Sequence, residues 1–509
     1  MRLIDYFDRG VELAPQGPCI AFEEREFTFA EVASASHRIA QVLRDLGALP
    51  GDVVATLGAN SAAYMLAVLG VVRSGAIWLP LNVRYAEDEL RHAIQSNDCS
   101  FAFCADDQID QTKAAFRDLG LDDNRVISMG SVYDLAQGDD DLVMVDPPQS
   151  SETIVAIRST GGTTGPSKGV MICNRNYETL FANLYATLPY PENPVHLAAA
   201  PLSHAAGTLT WAGFAYGGRT LVMAKFDATK ILRSIQEDGV THMFLTPTML
   251  YMLLDCPEID RFDYSSLHTV ICSGAPMSVD RMKRALKVFG SVFAQAYGQA
   301  EAPFFCTILR PEEHRTDEAG EKRLQSCGRP TIFTKVEIMN PEGQLLDSGQ
   351  RGEIVVRSDM VMKGYYNNPE ATENAGRFGW HHTGDIGYKD ADGYIYIVDR
   401  ERDVIISGGF NIFPNEIEQV IWSHPAVQDC AVIGVPDELW GEAVKAVIEV
   451  LPDVEVDVAE IVALCSERLG RMKAPKSVDV WKTLPRSPVG KVLKREIRAK
   501  YWTEQPREI

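Results

Sequence analysis

A chain of 509 residues, 46% hydrophobic and 23% charged, has the composition of a soluble globular protein and is too long for a single core, so two to four domains are expected. Its net charge of −21 argues against nucleic acid or an anionic membrane as a general partner. An anionic ligand must then meet a local basic site or a metal ion.

The opening Met1-Arg2-Leu3-Ile4-Asp5-Tyr6-Phe7-Asp8 carries acids where a signal peptide needs an apolar core. Helix-periodic stretches at 29–46, 61–74 and 87–96 alternate with extended runs at 53–57, 76–80 and 101–104, the pattern of a parallel sheet covered by helices. An acidic, proline-containing connection at 138–151 follows. Next comes the stretch Arg158-Ser159-Thr160-Gly161-Gly162-Thr163-Thr164-Gly165-Pro166-Ser167-Lys168-Gly169, between the β-prone Thr153-Ile154-Val155-Ala156-Ile157 and Val170-Met171-Ile172. Its glycines let backbone N–H groups approach an anion, its threonines add donors, and Lys168 adds charge. It fits neither the ATPase P-loop nor the dinucleotide fingerprint; taken alone, a Gly/Thr turn is the alternative.

Alternation resumes with extended runs at 196–200, 220–223, 242–246, 269–273 and 292–297. The apolar stretch 196–218 is broken by Pro201, His204 and glycines, so it is too interrupted to cross a bilayer. Asp227 reads as the start of a helix. Short strands with glycine turns from about 327 to 398 predict a compact β unit. The charged break Asp399-Arg400-Glu401-Arg402-Asp403 then precedes about a hundred residues of mixed α and β, the size of a separate small domain. Ten cysteines without C-x-x-C spacing read as reduced, buried thiols of a cytoplasmic protein. The ending Pro506-Arg507-Glu508-Ile509 is not a peroxisomal address.

Several clusters carry chemistry. Tyr297-Gly298-Gln299-Ala300-Glu301 follows an apolar strand and places Glu301 near that strand's carboxyl end, where ligands of open α/β sheets gather. His381-His382-Thr383-Gly384-Asp385 is expected in a turn, with the two histidines on opposite faces and thus no shared metal. Ser407-Gly408-Gly409-Phe410 offers a backbone that a ligand can approach, and Gly490-Lys491 puts a lysine on a Gly/Pro loop.

In this order and spacing, the clusters resemble the adenylate-forming superfamily of acyl-CoA synthetases, luciferases and peptide-synthetase adenylation domains, over essentially residues 1–500. That resemblance implies an α/β fold: a large N-terminal domain at 1–400, built from two doubly wound αβαβα subdomains and a small β-barrel near 327–398, then a small mobile α+β domain at 401–509. It also implies ATP, Mg²⁺ and coenzyme A. Thr160, Gly161, Gly162, Thr163, Thr164, Gly165 and Lys168 resemble the phosphate loop, and Ser273-Gly274-Ala275-Pro276 the adenine-binding turn. Tyr297, Gly298, Gln299 and Ala300 resemble the motif ending in the magnesium-binding Glu301. Asp385 and Arg400 resemble the ribose-binding pair, Arg402 the hinge, and Gly408 and Gly409 the thiol-channel glycines. Lys491 matches the lysine bridging carboxylate and α-phosphate.

Pro201-Leu202-Ser203-His204-Ala205-Ala206-Gly207 resembles the substrate gate, so His204 joins Lys491 and Glu301 in the catalytic set. By analogy the acid pocket draws on His204, Ala205, Ala206, Phe244, Ser273, Ala296, Pro303 and Phe304, small and apolar enough for an uncharged fatty or aromatic acid. A carrier-protein thiol remains an alternative to free CoA, a homodimer is an open assembly, and a non-catalytic nucleotide binder is the reading from another class. The chain departs from the family pattern at Gly161, where a serine is usual, and in its exchanged Pro166-Ser167. Ala300 replaces a threonine, and Arg402 stands where Asp or Lys is usual.

Overall fold

The computed structural model describes residues 1–137, 145–159, 168–437, 439–451, 454–487 and 490–502. Two large sheets form the body. The first runs Gly364–Tyr365, Gly169–Cys173, Ile154–Ser159, Ile77–Pro80, Val53–Leu57, Cys99–Cys104, Val126–Ser128, parallel from Ile154–Ser159 onward. The second has nine strands: Arg329–Pro330, Thr307–Leu309, Phe293–Tyr297, Thr269–Cys272, His242–Leu245, Val195–Ala198, Arg219–Val222, Pro18–Phe22 and Arg25–Thr28. Its six inner members are parallel. Burial on both faces explains why Val53–Leu57, Ile77–Pro80 and His242–Leu245 are buried at every position rather than alternating.

Helix Ala62–Ser74 is apolar on all sides because the whole of it is buried; Ser61 caps its start and Gly75, at φ 81°, ends it. Phe29–Asp45 has the contrasting amphipathic pattern, with a Thr28–Glu31 capping box and one buried face. Asp227 does cap a helix, accepting the Lys230 N–H ahead of Ala228–Glu237. Nine of the ten cysteines are buried, and among the described residues no helix is long and apolar enough to cross a membrane.

The compact β unit is a four-stranded antiparallel sheet: Lys335–Met339, Gly352–Arg357, His381–Lys389, Ile395–Arg400. The segment expected as a turn at 381–385 is instead the start of a nine-residue strand. Gly384, at φ 68°, takes a left-handed conformation inside it without ending it. The smaller C-terminal unit is built on the long antiparallel pair Val427–Asp437 and Gly441–Val450; the free edge of Gly441–Val450 carries the hairpin Ile405–Ser407/Phe410–Ile412 at its start and the parallel strand Ser477–Trp481 further along.

In open α/β sheets ligands gather at the loops that follow the carboxyl ends of the parallel strands. At the opposite edge of the nine-stranded sheet, His196 and His242 lie side by side on adjacent strands. His242 is stacked between Tyr190, 4.3 Å away, and His268, 5.4 Å away. Burial depresses His196 to about 4 and His242 to about 3, the latter helped by its two histidine neighbours. Because both folded values lie below the ordinary 6.5, the unfolded chain takes up protons first as pH falls. Stability is therefore unaffected above about pH 6.5 and lost below it, by on the order of 1 kcal/mol per pH unit for each histidine. Urea midpoints measured from pH 7 to 5 should fall accordingly, and His242→Phe, which keeps the ring against Tyr190, should flatten the fall; an unchanged slope would count against the pair.

Candidate active site

Four loops leave strand ends of the nine-stranded sheet on one side. Thr246 follows His242–Leu245, caps helix Pro247–Leu254 through the Met249 N–H, and has Pro247 in the first turn. Ser273 follows Thr269–Cys272 and is buried, with Gly274 at φ 96° turning the chain. Tyr297 ends the next strand. At Gly298 the chain folds so closely that a Cβ would lie 2.4 Å from the Phe304 nitrogen, which excludes any side chain there. The fourth loop follows Val195–Ala198 and holds His204.

The four-stranded sheet delivers the next groups. Asp385 is paired in register with Arg400. Its carboxylate accepts the Tyr297 hydroxyl at 2.8 Å and faces Arg400 Nε at 3.4 Å. Burial, and then the Asp385 charge, raise Tyr297 well above its ordinary range, so its hydroxyl stays a donor. Gln299 extends the joint, donating to the Thr383 carbonyl at 3.2 Å and facing His381 Nε2 at 3.4 Å. The neighbouring His382 bonds Glu353 at 2.7 Å instead, so the two histidines do point apart.

Glu301 is 9% exposed. Its Oε1 accepts the Tyr365 hydroxyl at 2.7 Å, and no ion pair reaches it among the described residues. A buried carboxylate in that condition fits a hard divalent cation completed by substrate oxygens. Lys168 Nζ lies 4.9 Å from the centre of the same Tyr365 ring, which brings the described end of the glycine-rich stretch to Glu301. Thr160, Gly161, Gly162, Thr163, Thr164 and Gly165 lie outside the described residues.

The smaller unit supplies Lys491. Its loop is closed by the Arg486/Val492 bridge and by a Gly490 N–H bond to the Ser487 carbonyl at 2.8 Å. It docks on the large unit through Thr248 Oγ1, which donates to the Gly490 carbonyl at 3.0 Å. Arg486 braces the joint, bonding Thr248 Oγ1 at 3.3 Å, Asp429 at 2.7 Å and Glu449 at 3.0 Å. Burial, then the Arg400 charge, lower Lys491 to about 7; Asp385 and Asp403 oppose the shift and Arg402 adds to it. Arg402, in the short turn Glu401–Asp403 that joins the units, is itself lowered by burial and by Arg400.

In the proposed acid pocket, Phe244 and Phe304 lie 5.4 Å apart between ring centres. Phe304 holds φ 66°, a left-handed backbone unusual for a bulky side chain. Ala206 and Ala296 are buried, and Ala205, Pro303 and Ala300 partly so. His204 is exposed and bonded through Nδ1 to the Ser203 hydroxyl at 2.8 Å. Ala275 and Pro276 complete the turn after Ser273. Gly408 and Gly409 stand apart from this cluster, in an exposed hairpin turn at φ 57° and 80° whose Gly408 N–H bonds the Trp440 carbonyl at 2.8 Å.

Sequence reading gave no role to Tyr365, Arg486, Thr246, Thr248 or Arg158. Arg158 joins two elements: it donates to the Ser203 carbonyl at 2.9 Å and the Tyr177 hydroxyl at 2.7 Å, over the Trp78 ring. Thr246-Pro247 was readable as a helix start, but nothing in residue type marked the others.

The family model described as AMP-binding enzyme matches residues 7–366, and that of the AMP-binding enzyme C-terminal domain matches 416–491. The chain belongs to the AMP-binding enzymes, the adenylate-forming superfamily of acyl-CoA synthetase type. It is 41% identical over 375 residues to the medium/long-chain-fatty-acid–CoA ligase FadD8 of Mycobacterium tuberculosis, covering 72% of this chain and 64% of that one. It is 34% identical over 498 residues to a feruloyl-CoA synthase of an Amycolatopsis species, covering 97% and 98%. The ATP-bound structure of MatB from Rhodopseudomonas palustris superposes with a TM-score of 0.89 at 28% identity, covering 98% of this chain and 99% of the other.

Asp429 and Glu449 are 8% and 10% exposed as side chains and share Arg486, so losing that cation strands two buried carboxylates. Arg486→Ala is expected to cost about 3–5 kcal/mol by urea denaturation and to loosen the Thr248–Gly490 contact; a cost below about 1 kcal/mol would mean that the cluster is better solvated than its burial indicates.

Proposed function

We propose that this chain is an ATP-dependent acid–thiol ligase that adenylates a hydrophobic carboxylic acid and passes the acyl group to coenzyme A. The observation that carries this reading is the position of Lys491: a lysine from the smaller unit, docked through Gly490 on Thr248, with Asp385, Arg400 and Arg402 as its charged surroundings.

In the first half-reaction a carboxylate oxygen attacks the α-phosphorus of ATP and pyrophosphate leaves. Such a displacement asks the protein mainly for positioning and charge neutralisation. Asp385, oriented by Tyr297 and Arg400, would accept hydrogen bonds from the ribose hydroxyls. The turn Ser273-Gly274-Ala275-Pro276 would lie against the adenine, and Lys168 with Thr163 and Thr164 would meet the leaving phosphates. Glu301 would hold Mg²⁺, which neutralises phosphate charge when bound. Lys491 would span the carboxylate and the α-phosphate as a point charge. Anionic oxygens beside it raise its pKa again, which keeps it protonated when needed.

In the second half-reaction the thiol sulfur attacks the mixed anhydride, the thiol proton leaves and AMP is released. The smaller unit, from about residue 401, would turn at Arg402 to withdraw Lys491 and bring Gly408 and Gly409 to the acyl group. Their hairpin suits a thiol arm: no atom lies within 4 Å of a Cβ built on Gly409, and Ile406, Phe410, Leu439 and Trp440 around it are all more than half exposed.

A hydrophobic acid is favoured by the pocket, since Phe244, Phe304, Ala296 and Ala206 offer no charge to pair with. The names of the two relatives, a medium/long-chain-fatty-acid–CoA ligase and a feruloyl-CoA synthase, span the aliphatic and aromatic forms of that class.

The test is AMP release measured over a panel of fatty, aryl and amino acids, with and without CoA, for the native protein and Lys491→Ala. Release should require a hydrophobic acid and rise with CoA. The variant should lose adenylation by 100-fold or more yet still form thioester from a supplied acyl-adenylate. Amino acids as the preferred substrates, or full pyrophosphate exchange by Lys491→Ala, would overturn the reading.

A further inference from the structure

The segment around Tyr365 is fixed on both edges. At its start, Asn176 Nδ2 donates to the Asp359 and Val361 carbonyls at 2.8 and 2.7 Å. The Met362 N–H then donates to the Glu301 carbonyl at 2.7 Å, the Lys363 N–H to the Met171 carbonyl at 2.9 Å, and the Tyr366 N–H to the Gly169 carbonyl at 2.7 Å. Between them, Gly364 and Tyr365 pair antiparallel with Met171 and Val170, and the Tyr365 N–H bonds Thr372 Oγ1 at 2.9 Å. One short strap therefore ties the loop of Glu301 to the strand that leaves the glycine-rich stretch. Tyr365 is the residue on it that reaches both sides: its hydroxyl donates to Glu301 Oε1 at 2.7 Å, and its ring lies 4.9 Å from the Lys168 ammonium.

We propose that Tyr365 is a positioning residue that aligns the Glu301 carboxylate and the Lys168 ammonium toward one metal–triphosphate group. The physical reasoning has two parts. A carboxylate held by a single hydroxyl has one oxygen oriented and the other left for a cation, so its rotamer is set before the metal arrives. A hydrogen bond from a neutral donor to a charged acceptor is strong enough to bias that rotamer. An ammonium over an aromatic face is drawn to it by the ring quadrupole, which limits the directions Lys168 samples. The inference rests on the reading that Glu301 faces the magnesium of the nucleotide.

The test is calorimetric binding to the full-length protein without acid substrate. Mg-ATP is compared with AMP, which occupies the nucleoside site but carries no β- or γ-phosphate. Tyr365→Phe keeps the ring and the strap and removes only the hydroxyl; Mg-ATP affinity should fall five- to ten-fold while AMP affinity stays within two-fold. Tyr365→Leu, which also removes the aromatic face, should lose more for Mg-ATP. Glu301→Gln separates the two claims. If it weakens Mg-ATP while Tyr365→Phe does not, the positioning role is overturned and the metal reading stands. If Glu301→Gln leaves Mg-ATP affinity unchanged, the metal reading itself fails. Equal weakening of AMP and Mg-ATP by Tyr365→Phe, or equal losses in the Phe and Leu variants, would also overturn the proposal in its first or second part.

Discussion

A lysine cannot be placed among arginines without cost, and the arrangement around Lys491 depends on how that cost is met. Burial acts most strongly against its ammonium, Arg400 and Arg402 add to that, and Asp385 and Asp403 oppose it. The protein holds it there with an adjacent group of buried ions. Lys494, 2.8 Å from Glu418 and also facing Asp399 and Asp403, is raised by these three carboxylates against the effect of burial. Arg498 bonds Asp403 at 3.0 Å, and Asp399 accepts the Asn415 N–H at 2.8 Å across the join. Buried ion networks contribute little net stability, but removing one member is expensive, which makes them suited to fixing one arrangement.

The large unit contributes by convergence. Parallel strands deliver Thr246, Ser273 and Tyr297 from consecutive carboxyl ends, and an antiparallel sheet delivers Asp385 and Arg400 as cross-strand partners. Tyr297 joins the two systems through a single buried hydrogen bond to Asp385. A site assembled from several sheets allows each part to keep ordinary local geometry. Two exceptions lie in the loop after Tyr297: Gly298, where no side chain fits, and Phe304, in a left-handed backbone. Strain of that kind persists only where surrounding packing enforces it.

Much of this was legible in the sequence because it is local. The alternating helix and strand periods named the parallel sheets, and Asp227 was readable as a cap from its place before an amphipathic run. The strand containing His381 to Asp385 was missed because a Thr-Gly-Asp run has turn composition; pairing on both sides, with Gly352–Arg357 and Ile395–Arg400, overrides that preference. Glu301, Asp385 and Lys491 could be named from motif order, since each lies in a run with its own signature. Tyr365 and Arg486 could not, because their partners are 64 and 57 residues away and their residue types are equally at home in packing and on surfaces. The departures at Ala300 and Arg402 are visible in sequence, but only the fold shows that Arg402 acts on Lys491 by charge.

The central claim, that the docked smaller unit enfolds Lys491 among these charges, has a direct measurement. Titration of the Lys491 ammonium by NMR, in protein carrying isotope-labelled lysine and assigned with Lys491→Arg, should give a pKa near 7 in the free protein and a higher value once ATP places phosphate beside it. An unliganded pKa close to the ordinary 10.5 would mean that the lysine stands in solvent, and would contradict the account.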